Sequence, residues 1–266
     1  MWGLEISRRL RYTFAMKFFV VLLAIIALLT TFWVAKDFIV FNKQKDMPSG
    51  ILKTNDGISI AYDFYSVDNP QKWFILIHMM PETKESWKDF AQMAQTNGFA
   101  SLAIDLRGHG QSEGGPDGYN EFSDADHQKS ILDLQAAAAF LKEKNVDPEK
   151  VVFVGASIGA NLVLQFLSEN SEYKKAILLS PGLDYRGIKT EPLVKNLKKG
   201  QSVWYLAAQD DDRSGGNAGD MVKKLYELTP GQVIRLITIF KIGGHGTDLF
   251  NAVPELKNKI LEWSVD

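Results

Sequence analysis

Between residues 73 and 239 the hydrophobic period switches back and forth, and this alternation constrains the fold more than any other feature of the chain. Trp73 to Ile77, Phe99 to Ile104, Val151 to Val154, Ala176 to Leu179, Val203 to Ala207 and Val233 to Ile239 are short, nearly continuous apolar runs. Stretches of helical length and pattern lie at Glu85 to Thr96, Asp124 to Lys144, Ile158 to about Ser168, Asp220 to Leu228 and Leu249 to Trp263. Strands buried on both faces read as unbroken apolar runs, and parallel neighbours need a crossover of helical length. The pattern therefore predicts βαβ units with helices on both sheet faces. Ile51 to Thr54 and Ile58 to Tyr65, separated by Asn55-Asp56-Gly57, add an antiparallel hairpin at one edge. The sum is a mostly parallel α/β sheet of eight strands. Ligands of such sheets sit beyond the carboxyl ends of the strands, so residues that carry chemistry should follow strands directly.

They do. Gly155-Ala156-Ser157-Ile158-Gly159 stands between the apolar run VVFV and the helical run IGANLVLQFL. A tight strand-to-helix turn lifts a serine hydroxyl above the sheet, and small flanking residues are needed because backbones crowd there. A hydroxyl is a weak nucleophile until a base takes its proton. Of four histidines, His245 follows the last strand in Gly243-Gly244-His245-Gly246 and is the candidate base. His78 is its competitor, and His109 and His127 read as packed or locally bonded. The base needs a carboxylate to fix its tautomer, and VWYLAA runs straight into Asp210-Asp211-Asp212. Asp211 is the candidate acid, with Asp210 the alternative. Two amides should face the developing oxyanion: the Ile158 N–H at the helix start, and the Met80 N–H after the Trp73 to Ile77 strand.

Composition removes several classes. With no cysteine there is no disulfide and no thiolate chemistry, and four scattered histidines make a metal site an unattractive reading. No metal or organic cofactor is expected. A formal charge of -2 gives no electrostatic reason for a nucleic-acid partner. Neither the glycines of 108–118 nor Gly215-Gly216-Asn217 forms a phosphate-binding loop. Arg107 reads as structural, pairing with a carboxylate such as Asp105.

The N-terminus differs from the rest. Arg8, Arg9, Arg11 and Lys17 precede an uncharged run from Phe18 to Ala35, which as a helix would extend about 27 Å. The expectation is a basic cytoplasmic stub and transmembrane signal anchor over 1–35, a tether over 36–50 and a catalytic domain over 51–266 on the extracytoplasmic side. A cleaved signal peptide is the alternative. With Met79, Met80 and Ile158 near the nucleophile, a membrane-held domain would meet small acyl esters of lipid-like character.

Taken together, His78-Met79-Met80-Pro81, Asp105-Leu106-Arg107-Gly108-His109-Gly110-Gln111-Ser112, Gly155-Ala156-Ser157-Ile158-Gly159, the acidic run at 210–212 and Gly244-His245-Gly246-Thr247 resemble the α/β-hydrolase superfamily from Ile51 to the C-terminus. The likeness is nearest to uncapped serine esterases and to dienelactone-hydrolase-like and lysophospholipase-like proteins, since Ser180 to Gln201 leaves room for a loop and short helix but no cap domain. It implies a serine hydrolase cleaving carboxylic esters through an acyl-enzyme on Ser157, with Asp211, His245 and the Met80 and Ile158 amides in the supporting roles. A thioesterase, an amidase or peptidase, and an inactive membrane-tethered binding protein are the alternatives. The chain departs from the family at Met79, where a glycine is usual.

Overall fold

Asn55-Asp56-Gly57 turns the chain between β1 (Ser49–Lys53) and β2 (Ser59–Tyr65), with Gly57 in the positive-φ conformation such a turn requires. The computed structural model describes residues 49–213 and 215–266. From the hairpin the chain runs through β3 (Trp73–Ile77), β4 (Ala100–Ile104), β5 (Val151–Ala156), β6 (Lys175–Leu179), the two-residue β7 (Asp184–Tyr185) and β8 (Ile188–Lys189), β9 (Ser202–Ala208), the two-residue β10 (Asp212–Arg213) and β11 (Gly216–Asn217), and β12 (Ile234–Phe240). Eight of these form one sheet in the order β1-β2-β4-β3-β5-β6-β9-β12. The β1–β2 and β2–β4 pairs are antiparallel and the other pairs parallel. β7–β8 and β10–β11 are small separate hairpins.

Helices α1 (Lys88–Thr96), α2 (Asp124–Gln128), α3 (Ile131–Glu143), α4 (Ile158–Glu169), α5 (Thr190–Lys195), α6 (Ala218–Leu228), α7 (Leu249–Ala252) and α8 (Leu256–Val265) flank the sheet on both faces. α4 is apolar almost all round and packs on β5 and β6. Ala160, Leu162, Val163, Leu164 and Leu167 are fully buried, each large one contributing about 1.5–3 kcal/mol. Two expected helices are each divided. The stretch from Asp124 to Lys144 breaks after α2, which Ser123 opens with a capping box to Asp126, and α3 begins afresh with Asp133 in its first turn. The stretch from Leu249 to Trp263 breaks at Pro254, whose ring pushes Val253 out of helical geometry, to φ -131°.

Four of the inner strands, β4, β5, β6 and β9, hand an amide from just beyond their ends to a neighbour. Asp105 N–H donates to Ala61 O at 2.9 Å, Ser157 N–H to Leu179 O at 2.8 Å, Ser180 N–H to Leu206 O at 2.7 Å and Gln209 N–H to Phe240 O at 2.8 Å. The sheet's hydrogen bonding thus continues one residue into the loops that carry the candidate site.

The expected membrane anchor is corrected. No helix of the described residues is long and apolar enough to cross a membrane, and residues 18–35 lie outside those described. A physical case for single-pass topology, extracytoplasmic placement, a membrane partner and a lipid-like substrate needed that helix, and all four are withdrawn. Pro48–Asp266 forms one compact unit, whose first strand starts at Ser49.

Candidate active site

Ser157 sits in the turn from β5 into α4 at φ 54°, ψ -120°, a left-handed backbone that costs a non-glycine residue about 1–3 kcal/mol. The turn is held from both sides. Ser157 N–H bonds to Leu179 O, and Ser157 O accepts from Ala160 N–H at 2.9 Å and Asn161 N–H at 3.1 Å. A β-carbon on Gly155 would collide with Gly159 O, and one on Gly159 would meet the carbonyl oxygens of Ile77 and His78 at 2.6 Å. Neither glycine can carry a side chain, because the first turn of α4 lies directly against β5 and the end of β3.

Asp211 follows β9 and is 3% exposed. Its Oδ2 is 2.7 Å from His245 Nδ1, and its Oδ1 accepts from Arg213 Nε at 2.7 Å. Burial pushes this carboxyl up, but the His245 ring, Arg213 and the Ser180 hydroxyl outweigh it and hold the group below the usual carboxylate range. Asp210 does different work: its Oδ1 accepts from Gly243 N–H at 2.9 Å and Gly244 N–H at 3.1 Å, bracing the histidine loop from outside. Asp212 faces solvent and accepts from Asn217 Nδ2. The structure therefore brings Asp211, and not Asp210, to the imidazole.

The glycine that follows His245 packs the histidine loop against the end of β5. Gly246 has φ +57°, and a β-carbon there would meet Met79 Sδ at 2.6 Å and Ala156 Cβ at 3.2 Å. The histidine loop thus rests on the residue preceding Ser157. Gly246 N–H also donates to Ser180 Oγ at 3.0 Å. The competing His78 is fully buried, with Nδ1 donating to Met79 O at 2.9 Å and Nε2 accepting from Leu106 N–H at 2.9 Å. Burial, with His109 beside it, pushes its pKa down to about 3, so it is a neutral ring spent on backbone. His109 stacks on Tyr119 at 4.1 Å, and His127 is buried in α2.

Of the expected oxyanion donors, Ile158 N–H opens α4 and Met80 N–H lies in the loop after β3. Neither has an acceptor among the described residues. Met79 does not have a positive φ, so the missing family glycine requires no left-handed backbone here.

Three residues of this site escape a sequence reading. Ser180, fully buried at φ 50° after β6, ties Gly246 to the sheet. Arg213 occupies the second oxygen of Asp211. Tyr185 in the β7–β8 hairpin lies edge-on to His245 at 6.4 Å, and its hydroxyl is buried without a partner among the described residues. Burial, then Asp211, pushes that phenol up to about 12. Only Ser180 carries a signal visible in one dimension, a polar residue directly after a strand.

A search of protein families matches residues 68–214, more than half of the chain and including Ser157 and Asp211, to the family described as serine aminopeptidase, S33. The chain belongs to the serine aminopeptidase S33 family. Membership places it in the α/β-hydrolase superfamily. Among curated relatives, this S33 chain is 33% identical over 98 residues to the polyketide transferase ATR5 of Stachybotrys chlorohalonatus, covering 36% of this chain and 31% of that protein. It is 26% identical over 132 residues to the non-heme chloroperoxidase CPO-A1 of Kitasatospora aureofaciens, covering 49% and 43%. The chain thus spans less than half the length of either relative. Among solved structures the S33 domain superposes on the Pyrococcus furiosus esterase Pf2001 with a TM-score of 0.64 at 20% identity, covering 82% of this chain and 91% of that one. The Exiguobacterium antarcticum esterase EaEST gives 0.65 at 12% identity, covering 82% and 100%. Identities this low establish the shared fold.

Proposed function

We propose that this S33 member is a serine hydrolase that transfers an acyl group through Ser157. The observation that carries the reading is the 2.7 Å His245–Asp211 pair, held by Gly246 against Ala156 and so beside the strained serine. His245 Nε2 takes the Ser157 proton as Oγ bonds to the substrate's carbonyl carbon, and Asp211 stabilises the resulting imidazolium. The oxyanion is met by the N–H groups of Met80 and Ile158. As the bond to the leaving group breaks, His245 returns the proton to it. Water then attacks the acyl-enzyme with the same base, freeing the acid and Ser157.

The family's description favours an amide or peptide bond over the ester expected from sequence, while esterases among the structural neighbours support the ester as a second reading. A fluorophosphonate probe should label the wild-type protein and leave folded Ser157→Ala unlabelled; labelling that survives the substitution would defeat the proposal. Matched ester, thioester and anilide substrates, with Ser157→Ala as control, then rank the bonds.

A further inference from the structure

β12 ends the sheet on one side and leaves its outer edge open. It is last in the strand order and pairs only with β9, in unbroken register from Ile234 opposite Ser202 to Phe240 opposite Ala208. Ile234 N–H donates to Gln201 O, and Phe240 O accepts from Gln209 N–H. The even-numbered backbone groups of the strand therefore face β9. Those of Arg235, Ile237 and Ile239 point outward, with no partner among the described residues. Such an edge is a template for pairing with another chain, and folded proteins blunt it with charge, proline, bulges or short length. β1, at the opposite edge, is blunted in this way: it has five residues and ends on the exposed Lys53. β12 is not. Its seven residues hold no glycine, proline or bulge. Ile234 is 67% exposed and Leu236 39%, on the same strand face, and Ile242 just beyond is 69% exposed. The one charge of the strand is withdrawn from the edge. Arg235 lies over the Tyr226 ring, and its Nη1 donates to Tyr226 O at 3.0 Å and to Thr229 O at the C-terminal end of α6.

We propose that β12 is an interface between two copies of this chain, joined edge to edge and antiparallel about a two-fold axis at Ile237, so that the two sheets run on as one. Charge chooses this register. Only alignments that bring outward-facing groups together can bond, which puts the axis at Leu236, Ile237 or Thr238. At Thr238 it would set Arg235 against Lys241 of the other copy, and at Leu236 it would leave Ile239 and Phe240 without strand partners. At Ile237 the whole strand pairs, with Arg235 opposite Ile239 and Lys241 opposite Val233. The exposed Ile234 and Leu236 then meet Phe240 and Thr238 of the other copy. A two-fold consumes the open edge of each copy and so stops at two. Residues before Ser49 enter the domain at β1, on the opposite edge and roughly 34 Å from β12 at the usual spacing of strands, which favours a second copy as the neighbour.

Sedimentation of the full chain tests the interface. Between about 1 and 100 µM the apparent mass should rise towards twice that of the chain, a range suited to a contact of one strand per copy. Ile234→Lys with Leu236→Lys, both at exposed positions, should raise the dissociation constant at least about tenfold and leave the circular dichroism of the folded chain unchanged. The chain has no cysteine, so Ile237→Cys gives each copy a single thiol. Across the axis the two Cα atoms would lie about 5.5 Å apart, within reach of a disulfide. The thiols of Leu236→Cys would sit on a diagonal, with Cα atoms about 7–8 Å apart and beyond that reach. Mild oxidation should therefore cross-link the first variant and spare the second. A chain that stays monomeric over the whole range, association unmoved by the double substitution, or equal cross-linking at 236 and 237 overturns the interface. A monomer whose Arg235, Ile237 and Ile239 amides resist hydrogen exchange also overturns it, since another segment or protein would then hold the edge. None of these measurements involves Ser157, so the interface is decided independently of the acyl-transfer reading.

Discussion

At the scale of single residues the candidate site depends on positions that admit only one arrangement. Asp211 serves two donors, one on each oxygen, and its lowered titration keeps it ionised and fixed before any substrate arrives. Asp211→Asn keeps the shape but favours the wrong imidazole tautomer, so kcat should fall by about 10⁴-fold with fluorophosphonate labelling slowed in proportion. A variant retaining a tenth of wild-type activity would remove Asp211 from the proposed mechanism. Ser157, Asp211 and His245 could be named from sequence because each follows a strand within a short motif. Arg213 could not, and Ser180 offered only its place directly after a strand, with no motif around it. The Ser180 bond to Gly246 joins residues 66 positions apart, and Arg213 is defined only by the oxygen His245 leaves free. Motifs report residue types at fixed spacing, whereas these two contacts are made by the fold.

At the scale of elements, Arg107 ties the loop after β4 to two others. Its Nε and Nη2 donate to Asp133 Oδ1 of α3 at 2.9 and 2.8 Å, and its Nη1 to Asp56 Oδ2 of the β1–β2 turn at 2.7 Å. The carboxylate expected for Arg107, Asp105, is instead held by Lys84 at 3.2 Å. Asp133 is fully buried, so Arg107→Ala should cost about 3–5 kcal/mol, read as a lowered denaturant midpoint with an unchanged slope. A loss under 1 kcal/mol would mean that Asp133 finds another partner or sheds its charge. The Arg107 hydrogen bonds hold Asp56 down to about 2, below its value in the unfolded chain. Its contribution is therefore complete above about pH 4 and disappears as the pH falls towards about 2. The gap in melting temperature between wild type and Asp56→Asn should close over that interval, and a gap independent of pH would contradict the pairing. The helix division after α2 coincides with this network, since Asp133 reaches Arg107 from the first turn of a separate α3. No periodic signal marks such a break, and two-residue ladders such as β7–β8 and β10–β11 are too short to have a period at all. The long apolar strands and α4 were legible because burial on all sides writes itself directly into composition.

At the scale of the molecule, the eight-stranded sheet organises the site more than any loop does. The amides of Ser157, Ser180 and Gln209 lie outside regular strands yet are bonded to neighbouring strands at 2.7–2.8 Å. Their hydrogen exchange should require nearly global unfolding, orders of magnitude slower than amides in the β7–β8 hairpin. Exchange as fast as the hairpin's would show that the strand ends fray and that the site is positioned by its loops. The family match reaches only to residue 214, so the His245 loop lies beyond it, and its placement comes from the contacts of Asp210, Ser180 and Gly246.

Those terminal amides form a staircase in which each tread is also the riser of the next strand. Solvent, heat or a new loop sequence can rework the surface above it, but displacing one reacting group means lifting a whole step, and its neighbours with it. Insertions should accordingly not be tolerated within a residue of each strand's end, where the backbone amide is already committed to a neighbouring strand.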